Sequence, residues 1–225
     1  MTRHQLQPHS DIKPNYKGGY DFVNYDSNPM DDNNHGTHMA AIRDDRGVVG
    51  VAPSANFYAL KVLRSDGSGL YSDTVAALNW AVEHDMHVAW LSLGGTSSST
   101  TLANAVKNAY DNGVLIVAAV GNDGKSSVLY PAAYSQVITV GATDSSNRKA
   151  SFSNYGFKVE LVAPEVSIRS TVGSQQQWLF AIQRHINGDP TNMRGRRAHV
   201  VKRRRNHQRR RQVGPAEHRP RRWLV

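Results

Sequence analysis

The chain has 225 residues and no cysteine, a length that suits one domain with a sizeable core and a composition that excludes disulfides and thiolate metal sites. Its net charge of +9 joins two unlike parts: residues 1–174 carry 13 Lys and Arg against 16 Asp and Glu, and residues 175–225 carry 14 against 2. No apolar run approaches the ~18 residues of a membrane span, and the opening M-T-R-H-Q-L-Q-P-H-S has none of the apolar character of a secretory signal.

In chain order, F-Y-A-L-K-V-L at 57–63 reads as a strand. Residues 72–85 read as an amphipathic helix, with Ser72 as N-cap, Asp73 in the first turn and Val75, Leu78 and Val82 on one face. V-A-W-L-S-L at 88–93 is a second strand. A second helix is expected over 101–112, with Leu102, Ala105, Val106 and Ala109 on one stripe and Asn112-Gly113 as its stop. The apolar run at 114–120 is a third strand, and further strands are expected at 136–141 and 158–163. Alternation of strands and helices predicts a parallel α/β sheet, and continuous apolar strands predict that both its faces are covered. Ligand sites in such sheets lie beyond the carboxyl ends of the strands, which here means Ser92–Gly95 and Gly121–Gly124. From about residue 175 the periodicity ends, and K-R-R-R-N-H-Q-R-R-R at 202–211 is a low-complexity basic run, so 175–225 is expected to be a disordered tail.

Three segments carry side chains suited to chemistry. His35, in D-D-N-N-H-G-T-H, is either a surface-loop histidine or a general base, with Gly36 allowing close approach of a substrate. A metal site built on His35 and His38 lacks a third ligand. Asn122, in A-V-G-N-D-G, is either a turn residue or a donor aimed at a developing oxyanion. Ser92-Leu93-Gly94-Gly95 is either an ordinary strand exit or an edge on which an extended peptide adds as a strand.

Taken together these segments resemble, in order, the subtilisin-like serine protease (subtilase) family. The matching motifs are H-G-T-H at 35–38, G-V-A-P at 50–53, Y-A-L-K-V-L at 58–63, G-S-G at 67–69, S-L-G-G at 92–95 and V-A-A-V-G-N at 117–122. They continue with Y-P-A at 130–132, V-G-A at 140–142, F-S-N-Y-G at 152–156 and V-A-P at 162–164. The resemblance implies a three-layer α/β sandwich with a mostly parallel sheet, truncated at both ends, over residues 1–174. It implies peptide-bond hydrolysis through an acyl-enzyme, with His35 as general base and Asn122 as oxyanion donor. Ser92, Leu93 and Gly94 would pair with the substrate backbone, and Ala118, Ala119, Val120 and Gly121 would line the pocket for the residue before the scissile bond. It further implies a secreted monomer acting on polypeptides, with calcium as an occasional family ligand but no clear calcium site here.

The chain departs from the family where the chemistry is most demanding. The D-[ST]-G-[IV] aspartate is expected near residues 1–5, which read Met1, Thr2, Arg3, His4 and Gln5; Asp11 falls too late to replace it. The first strand of the sheet is missing with it. The G-T-S-M-A-x-P serine is expected within 182–190, and no such motif occurs. Codons that encode Arg184–Pro190 can, one base later, spell G-T-S-M-A-T-P, so the tail has the character of out-of-frame translation. Ala41 and Glu165 stand where the family usually has glycine, and the spacing from His38 to Gly50 is too short for a tight calcium loop despite Asp44 and Asp45. Without serine and aspartate the chain as written is expected to be inactive. The alternative is a non-catalytic protein whose arginine-rich tail binds nucleic acid or other polyanions.

Overall fold

A computed structural model of the protein describes residues 14–40, 55–170, 180–182 and 222–224. Twelve elements follow in chain order: β1 (Tyr16–Asp21), α1 (His35–Met39), β2 (Asn56–Lys61), α2 (Tyr71–Glu83), β3 (Val88–Leu91) and α3 (Thr100–Asp111). Then come β4 (Leu115–Ala119), β5 (Val137–Thr143), β6 (Leu161–Pro164), β7 (Ile168–Ser170), β8 (Phe180–Ile182) and β9 (Arg222–Leu224). Seven strands form one sheet in the order β1-β2-β9-β3-β4-β5-β6, every pairing parallel, while β7 and β8 form a separate antiparallel pair. This is the expected α/β architecture with a parallel sheet.

Helices α2 and α3 pack against each other and bury one face of the sheet. Leu78, Ala81, Leu102, Val106 and Ala109 from the helices meet Ala89, Leu91, Ile116 and Ala118 from β3 and β4. The opposite face carries Val117, Val140 and Ala163, with Val88, Ile138 and Leu161 packed around them. Ile116 and Ala118 on one side and Val117 on the other follow the two-residue period of a strand, so a run that is apolar throughout marks burial on both faces.

The local signals decide the ends of α3. Ser99 caps it, its Oγ accepting from the Leu102 N–H at 3.3 Å. Gly113, at φ 88°, turns the chain away and donates its N–H to Tyr110 O at 3.0 Å. The stripe Leu102, Ala105, Val106 and Ala109 is the buried one, as its spacing predicts. Helix α2 differs from expectation. Its N-cap is Leu70, in an extended conformation, and Ser72 lies inside the first turn with its Oγ on Asp73 Oδ1 at 3.1 Å. The helix starts early because Tyr71 is anchored elsewhere, donating its hydroxyl to Ser97 O at 2.8 Å. Its buried face is Asp73, Thr74, Ala77, Leu78 and Ala81, while Val75 and Val82 lie only partly buried at the margin. Small residues let α2 approach α3 closely, and spacing of the larger apolar residues alone misses that face.

β1 was not expected from the sequence. Its Y-K-G-G-Y-D lacks apolar alternation, and Gly19 is held where a Cβ would lie 1.8 Å from Ala59 O. Ala41, Asp44, Asp45, the G-V-A-P at 50–53 and most of 175–225 lie outside the described residues, and β8 and β9 are the described parts of that tail.

Candidate active site

His35 opens the short helix α1, preceded by Asn34 in a left-handed conformation at φ 70°. The approach to α1 is organised by Asp31. One carboxylate oxygen accepts from the Thr37 N–H at 2.7 Å and the other from the Asn33 N–H at 3.0 Å. A Cβ on Gly36 would meet Asp31 only at 3.7 Å, an ordinary contact, so packing among the described residues does not require glycine there.

Ser92, Leu93 and Gly94 follow β3 directly, at the carboxyl end of the sheet. They line, with His35, a cavity of about 720 Å³ whose walls include Met39, Tyr71, Trp90 and Leu91. The histidine and the strand exit are thus brought together, although they lie far apart in the chain. The Ser92 hydroxyl is buried without a hydrogen-bond partner among the described residues. The two glycines after it serve the protein's own packing. A Cβ on Gly94 would lie 2.9 Å from Leu129 Cβ, and one on Gly95 would lie 2.2 Å from the Tyr71 hydroxyl oxygen. Gly95 also exchanges both backbone hydrogen bonds with Tyr130, each at 2.9 Å, so its edge is already paired.

Ala118, Ala119, Val120 and Gly121 run out of β4 into the next loop and are all buried. Leu91 is level with Ala118 in the β3–β4 ladder, so the loops bearing Ser92 and Asn122 leave neighbouring strands at the same end of the sheet. Neither Asn122 nor residues 118–121 line the cavity. Asn122 is half-buried, and its Oδ1 is shielded from solvent with no partner among the described residues.

Asn154, in the F-S-N-Y-G motif, holds that loop in shape, a role that no local sequence signal marks. It is 1% exposed. Its Oδ1 accepts from the Asp123 N–H at 2.8 Å and the Lys125 N–H at 3.1 Å, and its own N–H donates to Gly121 O at 2.9 Å.

Charge gathers on one flank of the cavity. Lys61 reaches Asp32 Oδ2 at 2.6 Å and Asp21 Oδ2 at 3.6 Å. Burial works against its charge, but the hydrogen bond and field of Asp32 and the field of Asp21 outweigh that and raise its pKa above the usual lysine value. Burial raises the pKa of Tyr71 on the cavity wall. Among the described residues no three histidine, aspartate or glutamate side chains converge in a way that would hold a metal ion.

A model of the Subtilase family matches residues 5–195. Subtilisin BL of Lederbergia lenta is 49% identical over 170 residues, which are 74% of this chain and 62% of that protein. An alkaline protease of Shouchella clausii is 48% identical over 170 residues, 74% of this chain and 44% of its own. The chain therefore spans about three-fifths or less of the length of these relatives. Among solved structures, a cold adapted subtilisin-like serine proteinase superimposes with a TM-score of 0.68 at 35% identity, covering 74% of this chain and 62% of its own.

Proposed function

The chain belongs to the subtilase family, and on that premise we propose that its line of descent is that of a serine endopeptidase, with this chain retaining the substrate-side half of the machinery. The observation that carries the proposal is the shared cavity of His35 and Ser92–Gly94 at the carboxyl end of the sheet. His35 is the general base, taking a proton from the nucleophile and returning it to the leaving amine. Ser92, Leu93 and Gly94 present backbone groups to an extended substrate, Ala118–Gly121 form one wall of the specificity pocket, and the Asn122 amide faces the oxyanion.

The chain carries neither the serine motif nor the D-[ST]-G-[IV] aspartate. With no nucleophile to acylate, it binds peptides without turning them over. Residues 1–174 form the peptidase part and 175–225 an appended basic segment of out-of-frame character. The parent enzyme is a secreted monomer acting on polypeptides. A second reading rests on the tail's 14 basic residues against 2 acidic ones: it binds nucleic acid or other polyanions through phosphate contacts that weaken with salt.

The test is to sequence the coding DNA across codons 1–12 and 174–192. The expected result is G-T-S-M-A-x-P in the shifted frame at 184–190, and a frame-restored protein that cleaves a peptide substrate. Genomic DNA without those codons overturns the frame-shift reading. A frame-restored protein that stays inactive overturns the assignment of His35.

A further inference from the structure

The carboxyl end of the sheet carries more than the cavity. The connection between β5 and β6 folds back onto the loop that bears Asn122. Gly124 N–H donates to Phe152 O at 2.7 Å, Asn154 N–H to Gly121 O at 2.9 Å and Tyr155 N–H to Lys125 O at 2.9 Å. β3, β4 and β5 are neighbours in that order, so their exits run from Ser92 through Asn122 to the connection that bears Tyr155.

Beyond Asn122 the surface becomes aromatic and basic. Tyr155 is 45% exposed and Phe157 is 85% exposed. The turn that carries Phe157 is closed by the Val159 N–H on Gly156 O at 3.2 Å, and Gly156 sits at φ 149°, backbone that L side chains rarely adopt. A defined turn thus holds a phenylalanine in water, where it adds nothing to the core. Lys149 stands over the Tyr155 ring, with Nζ 5.1 Å from its centroid, and donates to Ala150 O at 3.0 Å and Ser153 O at 3.2 Å. Lys125, bonded through its carbonyl to Tyr155, is exposed beside it.

The charge here has one sign. Residues 145–159 include Arg148, Lys149 and Lys158 and no aspartate or glutamate, within a part of the chain that is acidic on balance. Of the flanking acids, Asp144 is paired with Arg148 at 2.8 Å and Asp123 accepts from Asn154 Nδ2 at 3.4 Å. Glu160 leads into β6, its N–H on Thr139 O at 3.0 Å. Lys158 Nζ donates to Ala133 O, so Lys125 and Lys149 are the cations set beside the two rings.

We propose that Tyr155, Phe157, Lys125 and Lys149 form an accessory docking surface for an acidic, aromatic-bearing segment of the polypeptide that occupies the Ser92–Gly94 edge. Carboxylates of the segment meet the lysines, and its rings lie against Phe157 and Tyr155. Neighbouring strands lie ~4.8 Å apart and an extended chain advances ~3.3 Å per residue, so about three residues lead from the exit of β3 past Asn122 to this surface. The proposal rests on the peptide-binding reading of the cavity, and the surface acts by binding alone.

The test uses the full chain and three fluorescent, end-blocked peptides. One is a six-residue core of alanine and leucine, the second adds a Gly-Glu-Phe-Glu-Tyr-Glu tail, and the third has lysine in place of each glutamate. Fluorescence anisotropy at low salt is expected to show the acidic-tailed peptide binding about tenfold more tightly than the core, and the lysine-tailed one no more tightly. Salt at ~0.5 M is expected to cut that gain to about twofold. Phe157→Ser and Lys125→Glu each remove most of the gain and leave the affinity for the core unchanged, and because both side chains are exposed the fold is kept. An acidic tail that adds nothing, or a gain that survives both variants, overturns the docking surface and leaves the cavity reading standing. A tailed peptide that binds while the core does not, and is lost in both variants, upholds the surface and overturns the cavity reading instead. Binding of neither peptide overturns both. Anionic phospholipid vesicles captured by the chain and released by Phe157→Ser, with no gain from the acidic tail, make this a membrane-contacting face and likewise overturn the proposal.

Discussion

Gly121 and Asn154 close on each other so tightly that a Cβ on Gly121 would lie 2.3 Å from Asn154 Nδ2. Gly121 also sits at φ 114°, a conformation L side chains rarely adopt. Two independent constraints thus fall on one residue, immediately before Asn122. Gly121→Ala is expected to lower stability by about 2–4 kcal/mol, from backbone strain together with displacement of Asn154. Urea denaturation measures it, and a loss below about 1 kcal/mol would show that the loop yields without cost.

The cap of α3 offers a gentler change. Ser99 holds the Leu102 N–H through its side chain, and its backbone N–H and C=O both meet the Tyr134 hydroxyl, at 3.1 and 2.9 Å. Ser99→Ala removes only the first of these bonds and is expected to cost about 1 kcal/mol, while Ser99→Gly costs a few tenths. Equal losses for the two variants in thermal denaturation would mean that the Tyr134 bridge, not the cap, fixes the helix start.

What the sequence revealed and what it hid divide along physical lines. β4 and the buried stripe of α3 were legible because apolar periodicity and an Asn-Gly helix stop are local signals, whereas the Ser99 cap was not read from the sequence. The buried face of α2 was not, since Thr74, Ala77 and Ala81 are selected for closeness of approach rather than for size. β1 escaped notice because Gly19 fits against the β2 backbone, a relation between residues 40 apart that no local window contains. In the site, motif order located His35 and the Ser92–Gly94 exit, and the fold brings both to one cavity. The role of Asn154 was hidden, for its partners Asp123 and Lys125 are distant in sequence and are met through backbone N–H groups that any residue could supply.

Lys61 makes the stability depend on pH in the alkaline range. Its pKa in the folded chain lies above the ordinary lysine value of 10.5, chiefly because Asp32 and Asp21 outweigh the burial that opposes its charge. A group whose pKa is raised on folding contributes fully below the unfolded value and loses that contribution as pH rises through the folded one. The ion pair therefore stabilises the protein at pH 7–10 and fails above about 10.5. Lys61→Met is expected to cost about 1–3 kcal/mol at pH 8, since it leaves the 2%-exposed Asp21 without its cation, and to remove part of the alkaline loss. Parallel stability–pH curves for the two proteins between pH 8 and 11.5 would contradict this.

Asn122 and Asn154 share one loop and make opposite predictions. Asn154 is buried and bonded to two backbone N–H groups, so Asn154→Ala strands those donors and is expected to cost about 2–3 kcal/mol. Asn122 has a buried Oδ1 with no partner among the described residues. Removing an unpartnered polar atom relieves a desolvation cost, so Asn122→Ala is expected to leave stability unchanged within about 0.5 kcal/mol or to raise it. No loss on removal is the outcome expected of the oxyanion donor proposed above. Chemical denaturation of the two variants side by side tests this, and a loss above about 1.5 kcal/mol for Asn122→Ala would make it a structural residue like its neighbour.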